Sequence, residues 1–218
     1  MKILFKYATR GRPDWFRSTL SIYYNMISAD CDFEFVITLD EDDESMNTPS
    51  IKAFMNGIKY LKYYYGTHKN KIEAINDNLE NLDYDILFIV SDDMIPQVKG
   101  FDKIIINDMK KNFPNIDGAL HYHDGFCGKD NTITLSIMGK KLYEKIGYVY
   151  HPDYWSLYCD NEFTDVVREL DKYFYNPKVI VKHKWHGGRN ADETYKASNR
   201  SSDHDEKVYN DRKELGFP

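Results

Sequence analysis

Asp85-Ile86-Leu87-Phe88-Ile89-Val90-Ser91-Asp92-Asp93-Met94-Ile95-Pro96 is an apolar run that stops at two adjacent carboxylates. Five consecutive β-favouring residues, Ile86 to Val90, predict a strand buried on both faces, as in the middle of a parallel sheet. In open α/β sheets ligands bind in the crevice beyond the carboxyl ends of the strands. Asp92 and Asp93 therefore stand where a hard divalent cation bound to phosphate would be held, although an Asp pair in a turn also serves as a helix cap.

The sequence on either side of this run extends the same pattern. Lys2 to Ala8 reads as a strand, and the turn Thr9-Arg10-Gly11-Arg12-Pro13 delivers the chain into a helix to about Ile27, with Trp15, Leu20, Tyr23 and Ile27 as its apolar stripe. Phe33 to Leu39 is a second strand ending in acid, Asp40 to Glu44. Ile51 to Ile58 has helical spacing, Lys59 to Tyr65 reads as a third strand closed by Gly66, and Lys69 to Leu79 as a helix. The order β-α-β-α-β-α-β predicts a mostly parallel sheet with helices on its faces. Downstream, a helix is expected over Phe101 to Phe113. A hairpin of short strands, Gly118 to Tyr122 and Thr132 to Met138, should form a small mixed β region. Helices at Lys140 to Ile146 and Asp160 to Leu170 and a strand at Val179 to Val181 complete the pattern. From residue 187 the chain is polar, a tail that either crosses the site or moves freely.

The 218 residues fit one α/β domain. It divides into residues 1–96, 97–186 and the polar tail 187–218, which a family resemblance would make a nucleotide-binding half, an acceptor half and a tail. A net charge of −6 gives no global field for polyanions, so a nucleic-acid partner would need a local patch. Lys178, Lys182, Lys184, Arg189, Lys196 and Arg200 are the candidates, with an ordinary solvated surface favoured over that reading. Three cysteines without a C-x-x-C pair point to reduced thiols and a cytoplasmic location. The opening residues are too short an apolar run for a signal peptide or a membrane span.

Four groupings carry candidate chemistry. Asp92 and Asp93 suit a hard cation bridging diphosphate oxygens. His183 and His186, beside a glycine pair, add imidazole, which with carboxylate suits Mn²⁺, Fe²⁺ or Zn²⁺ better than Mg²⁺. Asp160-Asn161-Glu162 opens a helix after an aromatic loop, as a helix cap or as a base for a substrate hydroxyl. Thr9, Arg10 and Arg12 follow the first strand, where arginine binds phosphate and stacks on a base. Neither G-x-x-x-x-G-K-[ST] nor G-x-G-x-x-G is present, which excludes P-loop NTPases and dinucleotide-binding Rossmann enzymes.

Taken in order from Lys2 to about Tyr195, these segments resemble the GT-A glycosyltransferases, particularly the family 2-like group that uses nucleotide-sugar donors. The resemblance implies a GT-A α/β fold and transfer of a sugar, from a uridine diphosphate sugar by default, to an unspecified acceptor hydroxyl with a divalent metal, Mn²⁺ ahead of Mg²⁺. Thr9, Arg10 and Arg12 match the turn that wraps the nucleotide. Asp40 matches the acid that bonds the base, with Asp42 as fallback, and Lys71 and Asn76 match residues lying along the nucleotide. Val90-Ser91-Asp92-Asp93 occupies the place of the D-x-D motif but departs from it, because the first Asp falls on Val90. Asp93 then takes the metal, Asp92 lies at the donor, and His183 corresponds to the late His of the metal shell, with His186 as the alternative. Asp160 and Glu162 match the acidic acceptor-site motif. The rival implied by Val90 is a non-catalytic domain of the same fold that binds nucleotide or glycan, and a second is a glycosyltransferase acting on modified nucleic acid.

Overall fold

The structure, a computed structural model, describes residues 1–184 and 193–218. Seven strands of the described residues form one sheet. β1 (Lys2–Ala8) lies at its centre, paired in parallel with β2 (Asp32–Asp40) on one side and β4 (Ile86–Val90) on the other. β3 (Leu61–Gly66) adds in parallel outside β2. Beyond β4, the short β7 (Ile137–Gly139) runs antiparallel, then come β6 (Ala119–Tyr122) and β8 (Tyr173–Asn176), giving the order β3-β2-β1-β4-β7-β6-β8. The parallel half and the mixed C-terminal half agree with the sequence reading.

Local chemistry sets the helices. Pro13 starts α1 (Pro13–Met26), where its missing N–H costs nothing. Thr48 caps α2 (Pro49–Asn56), its hydroxyl accepting from the Ile51 N–H, and Asn70 caps α3 (Lys71–Asn76) by accepting from Glu73. α3 ends well short of Leu79, because the chain turns at Asp77 and enters a left-handed conformation at Asn78. Alternate residues of the central strands supply two cores. Phe5, Phe35 and Phe88 face α1 and α4 (Phe101–Asn112). Leu4, Val36 and Leu87 face α3, α5 (Lys140–Ile146) and α6 (Cys159–Glu169). The rings of Phe5 and Phe35 stack with centroids 4.6 Å apart.

Four features differ from the sequence reading. Strand geometry begins only at Ile137 instead of Thr132, because Ile133 and Thr134 bond sideways: the Ile133 N–H donates to Thr164 Oγ1 and the Thr134 hydroxyl to Asp124. The last strand, β9 (Val181–His183), lies two residues later than expected and pairs antiparallel with β5 (Met94–Pro96), placing His183 opposite Met94. β5 and β8 are too short to carry a period of their own. The polar tail, where described, folds into α7 (Glu193–Asn199) and α8 (Ser202–Leu215). α8 docks through polar anchors instead of an apolar stripe: Asp205 is fully buried, and its carboxylate accepts the N–H groups of Trp155, Ser156 and Leu157 at 2.7–2.9 Å.

Candidate active site

Parallel pairing of β1 with β4 aligns Tyr7 with Val90, so the two residues that follow Val90 meet the residues that follow Tyr7. The Tyr7 hydroxyl donates to Asp92 at 2.7 Å, the Thr9 hydroxyl donates to it at 3.1 Å, and Thr19 donates to the Asp92 carbonyl at 2.7 Å. Asp92 is buried, and burial raises its carboxyl to about 7 against the pull of Tyr7 and Thr9. It ties the turn to β1 and α1. Arg12 lies close enough for its charge to act on Asp92, and its guanidinium sits over Trp15, 5.5 Å from the ring centroid.

Asp93 turns the other way. The Ser91 hydroxyl donates to Asp93 Oδ1, and His183 Nε2 lies 3.5 Å from the same oxygen. Burial works against the charge of Asp93, but His183 and Ser91 outweigh it and hold the carboxyl well below the usual range. The positive charge of Lys71, at the start of α3, also acts on Asp93. A separation of 3.5 Å between a carboxylate oxygen and an imidazole nitrogen suits neighbouring positions on one first-row cation, whose bonds to such atoms are roughly 2.0–2.2 Å. No cluster of three or more His, Cys, Asp or Glu able to hold a metal occurs among the described residues. His186, with Gly187, Gly188 and Arg189, lies outside the described residues.

At the ends of β1 and β2, Arg10 donates to Asp40 at 2.7 Å and to both oxygens of Asp42 at 2.6 and 3.0 Å. His68 bridges Asp40, 2.7 Å from Nδ1, and Asp77, 3.1 Å from Nε2. Burial alone would lower the imidazole's pKa, but the two carboxylates outweigh it and raise it. Gly11 follows with φ +71°, a left-handed conformation that suits glycine, and its N–H donates to Asp43 at 2.6 Å. Beneath this network Lys6 is fully buried and donates to Thr38 and to the carbonyl of Asp77; burial lowers its ammonium to about 7. Asn76 is occupied elsewhere. Its amide donates to the Tyr150 carbonyl at 2.6 Å and accepts from the Val149 N–H at 2.9 Å, tying α3 to the aromatic loop.

Asp160 and Glu162 both lie in the first turn of α6 but differ in role. Asp160 is half-buried, receives the Asn161 N–H at 3.1 Å, and has its pKa raised by burial, with the charges of Lys71 and His183 opposing. The charge of Lys71 thus acts on Asp160 as it does on Asp93. Tyr158, just before α6, adopts φ 58°, a costly conformation for a non-glycine residue, and the three Asp205 bonds to the preceding loop hold it there. Glu162 is 3% exposed and fully engaged: Arg212 Nε donates to Oε2 at 2.7 Å, Arg212 Nη2 to Oε1 at 3.0 Å, and Tyr154 to Oε2 at 2.9 Å. Sequence reasoning missed Tyr7, His68, Asp124, Asp205 and Arg212. Only the Tyr7 position, in a strand of plain period 2 ending at the site, carried a signal.

The chain matches no protein-family model and no curated protein. Among solved structures it is similar to the mannosyltransferase PcManGT from Pyrobaculum calidifontis in complex with GDP-Man and Mn²⁺, with TM-score 0.67 and 13% identity over 89% of this chain and 59% of that one. It is similar to S. aureus TarS in complex with UDP-GlcNAc, with TM-score 0.68 and 12% identity over 87% of this chain and 60% of that one. A 4-diphosphocytidyl-2C-methyl-D-erythritol synthase from Anaerococcus prevotii matches end to end, 92% of this chain and 96% of that one, at TM-score 0.54 and 15% identity. The chain thus spans about three fifths of the two transferases it resembles. At these identities the likeness establishes architecture, and the architecture is the GT-A fold.

Proposed function

We propose that the chain transfers a sugar from a nucleoside diphosphate sugar, a uridine diphosphate sugar first, to an acceptor hydroxyl with the help of a divalent metal, Mn²⁺ ahead of Mg²⁺. The observation that carries this reading is the pair Asp93 and His183, 3.5 Å apart beyond the carboxyl end of β4, with the positive charge of Lys71 acting on both Asp93 and Asp160. GDP-Man with Mn²⁺ in one structural neighbour and UDP-GlcNAc in another support the class of donor and cofactor.

Asp93 and His183 would hold the metal. Bound there, the ion would neutralise the charge that grows on the diphosphate leaving group. Lys71 adds a fixed positive charge on the same side, and Arg10, Arg12 and Thr9 line the nucleotide turn. Asp40 is already bonded to Arg10 and His68, so it offers the base an acceptor that is fixed before binding. Asp160 is the acceptor-side carboxylate: its burial raises its proton affinity, which improves a general base in an inverting transfer. Glu162 is held by Arg212 and Tyr154, and its role is to seat α6. No described helix is long and apolar enough to cross a membrane, and the three free cysteines fit a cytoplasmic setting.

A thermal-shift panel of UDP- and GDP-sugars, each with and without Mn²⁺, tests this. A ligand that binds only the folded state at a hundred times its Kd adds about 2.7 kcal/mol of stability. The expected result is a rise in Tm with one base class that grows when Mn²⁺ is added. No shift with any donor would reject the reading.

A further inference from the structure

We infer that Asp124 is a positioning residue that turns the imidazole of His183 toward Asp93, so that Nε2 is the nitrogen offered to the metal; this rests on the metal site of the proposed transferase. Asp124 is 2% exposed and lies in the connection that follows β6. Its Oδ1 accepts the N–H groups of Phe126 at 2.7 Å and Cys127 at 2.6 Å, closing a turn through Gly125, whose φ is +101°. Its Oδ2 accepts the Thr134 hydroxyl at 2.5 Å, and its backbone carbonyl accepts the N–H of His183 at 2.9 Å. One residue therefore locks its own loop and fastens that loop to β9 at the residue whose side chain reaches Asp93.

The imidazole lies between two carboxylates, Nε2 at 3.5 Å from Asp93 Oδ1 and Nδ1 at 3.9 Å from Asp124 Oδ2. The two are not equivalent. Asp93 keeps 17% of its side chain exposed, whereas Asp124, at 2%, is closed off by its turn and by Thr134. An imidazole binds a metal through one nitrogen when the other carries the proton, and a carboxylate facing that other nitrogen fixes both the tautomer and the ring orientation. The geometry gives Asp124 that task, since the groups donating to its carboxylate are neutral and its negative charge is directed at Nδ1.

The test is Mn²⁺ uptake by the full chain at saturating UDP, read from the electron paramagnetic resonance of the free ion. Asp124→Asn keeps the side chain's size and removes the charge. It should weaken Mn²⁺ binding roughly ten- to a hundredfold, the range for such outer-shell partners. Metal-free UDP binding should be unchanged, and in combination with His183→Ala it should cost nothing beyond His183→Ala alone. Thr134→Val leaves the charge of Asp124 and its turn bonds in place and should bind Mn²⁺ at least as tightly as the wild type; it carries the test if Asp124→Asn does not fold. Wild-type Mn²⁺ affinity in Asp124→Asn, loss of its metal-free UDP binding, an added loss in the double variant, or a tenfold loss in Thr134→Val would each overturn the assignment while leaving the metal site standing. Failure of the wild type to take up Mn²⁺ would bring down the metal reading and this one with it.

Discussion

Two neighbouring carboxylates with the same sequence context end in opposite electrostatic states. Asp92 points back into β1 and α1, where burial raises it to about 7, while Asp93 points at His183 and is held well below the usual carboxylate range. Sequence alone marks the pair as the end of a buried strand but cannot say which member turns toward His183, because that depends on Tyr7, Thr9 and Thr19 from other segments. The split predicts different mutational outcomes. Asp93→Ala should leave the fold intact and abolish the gain in nucleoside-diphosphate affinity that Mn²⁺ provides, as read by calorimetry. Asp92→Ala strips the partner from two buried hydroxyls, a loss of about 1–3 kcal/mol for each, and should lower the chemical-denaturation midpoint. A variant of Asp93 that kept the metal-linked gain would remove it from the site.

At the scale of elements, α6 depends on α8. Both acidic residues of the α6 first turn were legible as candidates, but their division of labour was not, because Arg212 lies 50 residues away along the chain in a stretch whose composition reads as a solvated tail. Arg212→Ala would leave the Glu162 charge buried without its cation, held by Tyr154 alone, a loss on the order of 3–5 kcal/mol, and Arg212→Ala with Glu162→Gln should recover part of it. Asp160→Asn should behave differently: donor affinity nearly intact, thermal stability near wild type, and transfer cut on the order of a hundredfold or more if Asp160 is the base. Equal transfer by Asp160→Asn and the wild type would reduce Asp160 to a helix cap.

The mixed edge of the sheet carries a pH dependence of its own. His121 on β6 is 1% exposed, packed against Tyr173 and Tyr175 of β8, and burial lowers its pKa to about 4, with Arg168 adding to the effect. Between its unfolded value of about 6.5 and its folded value, the unfolded chain binds a proton that the native chain refuses. Stability is therefore lost as pH falls through that window, by up to about 3 kcal/mol for this group alone. Urea melts at pH 7 and pH 5 should show the loss, and His121→Gln should reduce it; an unchanged difference in the variant would assign the pH dependence to other groups.

Across the whole molecule, the parallel half was legible because each strand there is long, apolar and punctuated by glycine, proline or acid, as in Lys2–Ala8, Asp32–Asp40 and Ile86–Val90. In the C-terminal half the helices α4, α5 and α6 were also legible, but the short strands and the tail were not placed, for physical reasons. β5, β8 and β9 have three or four residues each and exist through pairing partners far away in sequence. α8 buries carboxylate and guanidinium instead of an apolar stripe, so periodicity has nothing to detect. The same contrast holds at the site, where the donor-side positions follow strand ends while Asp124 and His68 act through contacts across the fold.

The metal that Asp93 and His183 would hold is expected to serve transfer from a nucleotide sugar. The most direct measurement of this is release of nucleoside diphosphate from UDP- and GDP-sugars, with water or a mixed panel of sugar acceptors, in wild type and Asp93→Ala, with Mn²⁺ and with chelator. The expected result is turnover of one donor class by the wild type with Mn²⁺, and a loss of roughly a hundredfold or more either with chelator or in Asp93→Ala. Release at equal rates in all four conditions, or in none of them with any donor, would contradict it.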